Sequence, residues 1–485
     1  MRRGILGNAS WLMVARASGD LLSFIVFLAI ARRFGPDGSG AYIYAFAVAN
    51  LVATLANPGL SDLAMRDLAQ LPPGRRGSYL RTLLTFQALL AGLALGGLAV
   101  FLTLSPAPLA SLVIVSSLTV YLTGFTVGRT VLAPAFAREA MRWPAVLELA
   151  CRGIAMLGAL AGLFLLDLGL AWLLLGFPLA GLVYLGCALV VLPRADLATA
   201  AAPGQLRALA HAAWPVAAAE LILQLYLRVD LILLSLLLGD AAAGIYATGV
   251  KLVEVGTTPV LFLALAALPR LSAGFTTAER GALELVQTLL NAVLVLGGLL
   301  AIGLLYVVPL LLVPLLGDRF APSAALMPWM AMIVLAFSYE IVVVRVLLAC
   351  QRQIAYFRAI ALATIVKAAA VYLLVPPFGA AGAAAAALLA LLLLDAACAM
   401  AVAPYWPLSP QLASLGRLLA AVVVTVLLAE AAQALGLNAL VIALLAPPLY
   451  FALTLGFGLV SADRLRLLLA SRTTLLAQEA GNQAP

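Results

Sequence analysis

Histidine, cysteine and charge are all scarce in this sequence. Its 485 residues include one histidine, His211, and four cysteines, Cys151, Cys187, Cys350 and Cys398. Each cysteine stands alone, inside or at the end of an apolar segment, and no C-x-x-C spacing occurs. A disulfide scaffold and a Cys/His metal centre are therefore not expected, and no cofactor is implied. Asp, Glu, Lys and Arg together make up 10% of the chain. There is no acidic cluster, no set of catalytic histidines and no long polar loop, which argues against a membrane-bound polymerase or polyprenyl-phosphate transferase. No small-residue cleavage site follows a short apolar core after Met1, Arg2 and Arg3, so the first apolar segment is expected to be retained.

Apolar residues are abundant. Hydrophobic types fill 65% of the chain, and the mean hydropathy is +1.15. No soluble globular class has this composition. Apolar runs of about 20 residues, each able to cross a bilayer as a helix, recur from end to end. Six are expected near 9–31, 40–60, 81–104, 110–132, 145–166 and 169–192. Six more are expected near 213–238, 243–267, 285–308, 323–350, 354–375 and 379–403, and a final two near 413–436 and 438–461. The reading is an all-α polytopic membrane protein of about fourteen transmembrane helices. Its expected parts are an N-terminal six-helix lobe at 1–192, a cytoplasmic linker at 193–212 and a second six-helix lobe at 213–403. Two further helices at 404–461 and a cytoplasmic tail at 462–485 complete it.

The formal net charge of +8 could point to nucleic acid, but its distribution points to topology instead. With the N-terminus inside, eighteen arginines fall in inner loops and tails, against three outside: Arg32, Arg33 and Arg319. Both termini are then cytoplasmic, and no nucleic-acid partner is expected. All six tryptophans (Trp11, Trp143, Trp172, Trp214, Trp329, Trp406) fall near expected span ends, as an interfacial belt would place them.

The two lobes look like copies of one another. Gly35, Gly40 and Tyr42 form a G-x4-G-x-Y elbow that returns, 204 residues later, as Gly239, Gly244 and Tyr246. At the same offset Arg66 meets Arg270, and Arg76 and Gly77 meet Arg280 and Gly281. Nine identities occur over 35–88, and seven of them are neither Ala nor Leu, the types that chance would favour here. An internal repeat in a membrane protein points to a transporter with its site at the repeat interface. Small residues spaced for close helix contact stand at Gly92 and Gly96, at Gly158 and Gly162, and along Gly379 to Ala387.

Seven basic residues lie inside spans: Arg16, Arg129, Arg152, Arg228, Lys251, Arg345 and Lys367. Each costs roughly 2.5–3.5 kcal/mol at a helix centre, so each needs a reason. Arg129 sits near a span end and can snorkel. Arg16 with Asp20, and Glu148 with Arg152, are four apart; Lys251 and Glu254 are three apart. Such pairs share a helix face and can neutralise one another. Arg228 and Asp230 face different ways, while Glu220, Gln224 and Arg228 form one polar stripe. Lys367 has no acid on its own helix. Arg228 and Lys367 are therefore candidates for cations facing a cavity, with a cross-helix salt bridge as the alternative. Arg16, Arg228, Lys251 and Lys367 form a candidate set for a moving anion, and Asp20, Asp230 and Glu254 are candidate coupling-ion groups. Asn50, Asn57, Gln224 and Tyr226 are candidate sugar contacts. Pro58 and Pro259 are expected to kink the second and eighth spans.

Several stretches resemble a known family. Asn8 to Trp11 and Arg16, Ala31 to Pro36, Gly40 to Tyr42, Arg345 to Arg352, and Pro377 to Gly382 are similar to oligosaccharide-repeat-unit flippases of the Wzx type. These belong to the multidrug/oligosaccharidyl-lipid/polysaccharide (MOP) exporter superfamily. The resemblance covers nearly the whole chain. It implies two lobes in a MATE-like V that opens alternately to the two sides of the cytoplasmic membrane. It implies an undecaprenyl-diphosphate-linked oligosaccharide as cargo, moved outward for surface polysaccharide synthesis. It places diphosphate-binding bases on the first helices of each lobe, where Arg16 and Arg228 stand, with Lys251 on the next helix. The expected partners are a proton or sodium ion, a polysaccharide polymerase and a chain-length regulator; the expected state is a monomer. Related peptidoglycan-precursor flippases carry an arginine on the second span, where this chain has Asn50 and Asn57. A cation-coupled drug exporter using Asp20, Glu220, Asp230 and Glu254 is the other alternative.

Overall fold

The computed structural model describes residues 2–104, 109–138, 140, 142–167, 169–192, 205–276 and 281–459. The side chains of 2–17, 73, 172–173, 205, 266, 268–276 and 282 lie outside that description, as does the expected tail at 462–485. Among the described residues every regular element is a helix. In a bilayer the backbone must satisfy its own hydrogen bonds, and a chain this apolar does so within each segment.

The helices run α1 (Arg2–Ala56), α2 (Leu60–Gln70), α3 (Pro73–Leu104), α4 (Leu109–Val131), α5 (Ala133–Ala137), α6 (Arg142–Phe164), α7 (Leu170–Leu174) and α8 (Gly176–Val191). They continue as α9 (Gln205–Leu238), α10 (Asp240–Thr276), α11 (Gly281–Ile302), α12 (Val308–Leu316), α13 (Ala321–Ala324), α14 (Met327–Ala349), α15 (Gln353–Val402), α16 (Leu408–Ala434) and α17 (Ala439–Gly456). A π-helical turn, Gly303–Val307, joins α11 to α12. Two helices are broken internally: α1 at Gly35 (φ 70°), just before Pro36, and α15 at Gly379 (φ 60°), just after Pro376 and Pro377. Proline removes a backbone donor and glycine tolerates positive φ, so the chain turns there without leaving helical geometry on either side. Among the described residues eleven stretches are long and apolar enough to cross a membrane. Splitting α1 and α15 at their glycines and adding the shorter α8 gives a helical counterpart to each of the fourteen expected spans.

Contacts divide the chain into two compact units. The first comprises Met1–Lys251, Leu315–Pro322 and Ile360–Ala387. Within it α4 packs along α8 and α1, and α1 also meets α6, α9 and α3. Lipid tails are as apolar as leucine, so helices associate by close packing more than by hydrophobic transfer. The packing is close between α4 and α8, where a Cβ on Gly124 would lie 2.6 Å from the Gly181 backbone. Around it Phe125 stacks on Tyr184, and Tyr121 meets Phe125 and Phe177 edge to face, with ring centroids 4.6–5.0 Å apart. Gly92, Gly96 and Gly158, expected as contact faces, instead have open space beside them. The second unit comprises Leu252–Pro314, Ser323–Ala359 and Leu388–Pro485. Here α11 packs on α14, α16 and α17. Trp406 is wholly buried in this unit, its carbonyl accepting from Gln411 Nε2 at 2.8 Å, so it is a packing residue and not part of an interfacial belt.

Candidate functional site

The repeated elbow organises the first unit. A Cβ added to Gly40 would sit 1.7 Å from the Asp240 carbonyl oxygen, and one added to Gly244 would sit 2.0 Å from the Pro36 carbonyl oxygen. Positions 36 and 240 are equivalents at the repeat offset, as are 40 and 244. Each elbow therefore receives the carbonyl that it presents to its counterpart, the mark of a local two-fold relation. Gly35 and Gly239 share positive φ, at 70° and 85°. Ser39 Oγ donates to the Pro36 carbonyl at 3.1 Å and Ser235 Oγ to Asp240 Oδ1 at 2.6 Å, fixing the turns from each side.

The elbow tyrosine of the second copy leads to the charged residues. Tyr246 Oη donates to Asp230 Oδ2 at 2.7 Å, and the Leu231 amide donates to Asp230 Oδ1 at 3.0 Å. Lys367 Nζ, reaching from α15, lies 2.9 Å from Asp230 Oδ2 and donates to the Tyr226 carbonyl at 2.8 Å. It also lies 5.0 Å from the centre of the Tyr226 ring. Lys367 and Asp230 are both buried. Of the two arrangements open to Lys367, the structure has the cross-helix salt bridge. Tyr226 belongs to the same buried knot, and Asp230 already holds a lysine, a tyrosine and an amide.

Two other cations converge on one aromatic ring. Arg228 Cζ stands 5.8 Å and Lys251 Nζ 5.4 Å from the centre of the Phe46 ring. They reach it from different helices, α9 and α10, while Phe46 belongs to α1. A cation over an aromatic face gains about 0.5–1 kcal/mol when exposed and about 2 when desolvated. The Phe46 carbonyl accepts from Asn50 Nδ2 at 2.7 Å, so Asn50 braces the platform. Gln224 is half-buried one turn before Arg228.

A second basic cluster lies among α4, α6 and α8. Arg152 Nη2 and Nε bond Glu148 Oε1 at 3.0 and 3.1 Å, the four-apart pair expected, and the guanidinium lies 4.7 Å from the Phe125 ring centre. Arg129 Nε reaches the other oxygen of Glu148 at 3.6 Å. One carboxylate thus serves two guanidiniums. Asn57 ends α1: its Nδ2 donates to Ser61 Oγ at 2.7 Å and to the Thr126 carbonyl at 2.8 Å, and Pro58 lies in the turn to α2. The second span therefore ends at this proline, and the Asn57 amide ties α1 to α2 and α4. Glu254 lends its carbonyl to Thr258 Oγ1 at 3.0 Å. Asp20 is exposed on α1, and the side chain of Arg16 lies outside the described residues.

Among the described residues the chain is a strandless bundle of helices, many long and apolar enough to cross a membrane, with glycine breaks and a two-fold elbow. The polysaccharide biosynthesis protein family matches residues 5–275, more than half of the chain, and the chain belongs to that family. Three solved structures place the fold. The lipid II flippase MurJ, in an inward closed conformation, aligns over 92% of this chain and 98% of its own at 12% identity and a TM-score of 0.66. An inward-facing multidrug resistance MATE family transporter of the MOP superfamily aligns over 82% and 95% at 11% identity and a TM-score of 0.63. A MOP superfamily transporter from Pyrococcus furiosus, described as having a binding pocket of reverse polarity, aligns over 85% and 96% at 12% identity and a TM-score of 0.56. At such identities the likeness is one of fold. No curated protein matches the sequence.

Proposed function

We propose that this protein is a flippase that carries undecaprenyl-diphosphate-linked oligosaccharide repeat units from the inner to the outer leaflet of the cytoplasmic membrane. The observation that carries the reading is the convergence of Arg228 and Lys251 on Phe46. A polysaccharide biosynthesis protein built from membrane spans has a lipid-linked saccharide as its natural cargo, and such a head group presents a diphosphate. Two cations from different helices match a doubly anionic group better than one would, and a guanidinium beside an ammonium offers both fork-like and point-charge donors. Each contact must stay moderate, or the cargo would not leave. The cation platform favours this cargo over a cationic drug. Arg16 completes the expected diphosphate set. Lys367 and Tyr226 support it by holding α9 against α15, with Gln224 and Asn50 beside the platform for sugar.

Alternating access by lobes at 1–192 and 213–403, with the helices of 404–461 appended, belongs to the same reading. So do cytoplasmic termini, a monomeric state, coupling to a proton or sodium ion, and work alongside a polymerase and a chain-length regulator. The test is reconstitution into vesicles with a lipid-diphosphate-linked oligosaccharide and detection of its outward appearance. Arg228→Gln with Lys251→Gln should reduce movement by roughly 100-fold, the loss of about two charge-assisted contacts. Wild-type movement of the saccharide unaffected by that double change would sink the site; no movement by the wild-type protein would sink the cargo.

A further inference from the structure

One polar cluster has no part in the cation platform. It lies in the second unit, where Glu340 on α14 and Asp395 in the last part of α15 are 8% and 6% exposed. Oε2 of Glu340 and Oδ1 of Asp395 are sealed from solvent and have no hydrogen-bond partner. Asp395 lies within electrostatic reach of Glu340, and both lie within reach of the buried Cys398 thiol. The cation near them is Arg345, within reach of Glu340, but its Nη1 donates to the Ile341 carbonyl at 3.1 Å. Among the described residues no ion pair joins Arg345 to either acid. Tyr339 Oη donates away from the acids, to Gln411 Oε1 of α16 at 2.6 Å.

Two ionised carboxylates buried within electrostatic reach of one another are costly in such a place, and like charges so arranged do not both ionise readily. Arg345 balances one negative charge at most. The other must be matched by something that comes from outside. Among the described residues no group of three His, Cys, Asp or Glu side chains is placed to hold a metal ion. A proton needs no coordination sphere and fits the sealed space.

We propose that Glu340 and Asp395 form a proton-binding site, loaded while the second unit is sealed as in this structure and discharged when its helices admit water. Loading forms one carboxyl O–H bond with a proton taken from water at one side of the membrane; discharge returns that proton to water at the other. The use of the proton to drive lipid-linked saccharide rests on the function proposed above, whereas the site itself does not.

Infrared difference spectroscopy of the full-length protein in lipid, in light and heavy water, reads the site directly. At neutral pH the wild-type protein should show the carbonyl stretch of a protonated carboxyl, and Glu340→Gln with Asp395→Asn should lose it. Should that double variant not fold, either single isosteric change must remove or shift the band. A wild-type protein without the band, or a band that these changes leave unaltered, overturns the proposal. So does sodium-dependent thermal stabilisation that the double change abolishes, since sodium would then be the occupant. In vesicles, the acceleration of saccharide movement by a proton gradient should be lost in the double variant while movement down the saccharide gradient persists. If the wild-type protein moves no saccharide, the cargo fails and the infrared result still decides the proton site.

Discussion

The two units contain buried acids under opposite conditions. In the first, Asp230 is matched by Lys367 at 2.9 Å, by the Tyr246 hydroxyl at 2.7 Å and by an amide at 3.0 Å. In the second, Glu340 and Asp395 each keep a buried oxygen with no donor, and they lie within electrostatic reach of one another. A carboxylate with a resident cation is a fixture of the fold: α9, α10 and α15 are joined through it, and exchanging its partner would mean breaking the pair. A carboxylate without one is poised to take a partner from solution. Candidate coupling groups are therefore separated less by being buried acids than by whether the chain supplies their counter-charge.

The sharpest way to break this comparison is Lys367→Met. Asp230 would be left buried with an uncompensated charge, a loss of about 3–5 kcal/mol measured by thermal or denaturant unfolding in detergent. Adding Asp230→Asn should return most of it, since removing both charges together is close to neutral. A silent Lys367→Met would mean that the pair does not hold the fold, and would return Lys367 to the set of cations available to cargo.

The elbow provides a control free of charge effects. Gly40→Ala and Gly244→Ala each drive a methyl group into a backbone carbonyl, at 1.7 and 2.0 Å. Each should destabilise by about 1–3 kcal/mol, the usual range for overpacking. Because the contact is reciprocal, the two losses should agree within about 0.5 kcal/mol, the scale on which independent mutations add. Unequal losses would show that the repeat matches in sequence but not in the load that each copy bears. The opposite sign is expected at the second acid site. Glu340→Gln removes one of two buried acids that repel one another while keeping the shape, and should raise stability by about 1 kcal/mol.

These contrasts explain what could be read from the sequence. The elbow was legible because its glycines and tyrosine recur at one offset, and the structure sets Gly40 and Gly244 each against the backbone of the other elbow. The pair of Arg152 with Glu148 was legible because partners four apart on one helix need no knowledge of the fold. The partner of Lys367 was not, because Asp230 lies on another helix and only packing brings them together. Asp395 was missed for the same reason: it is a lone acid in an Ala/Leu run, and Glu340 becomes its neighbour through tertiary contact alone. The spacings at Gly92, Gly96 and Gly158 misled because small residues permit close approach without enforcing it; Gly124 and Gly128, spaced in the same way on α4, do make close contact, with Gly181 and Tyr184 of α8.

The smallest expected effect tests how the cations of the first unit are arranged. Phe46→Leu keeps an apolar side chain of similar reach but removes the ring face that Arg228 and Lys251 approach at 5.8 and 5.4 Å. Loss of the cation–π contribution should lower stability by about 0.5–2 kcal/mol, well short of the loss at Lys367. The effect on cargo should be clearer, because the ring holds both cations at one place before cargo arrives and so lessens the cost of ordering them. Equilibrium binding of a lipid diphosphate to the purified protein should weaken by roughly tenfold, equivalent to about 1.4 kcal/mol. Phe46→Tyr keeps the face and should stay close to wild type. If Phe46→Leu binds the diphosphate as tightly as the wild-type protein, Arg228 and Lys251 act separately, and their meeting at this ring is a packing arrangement like that of Lys367 over Tyr226.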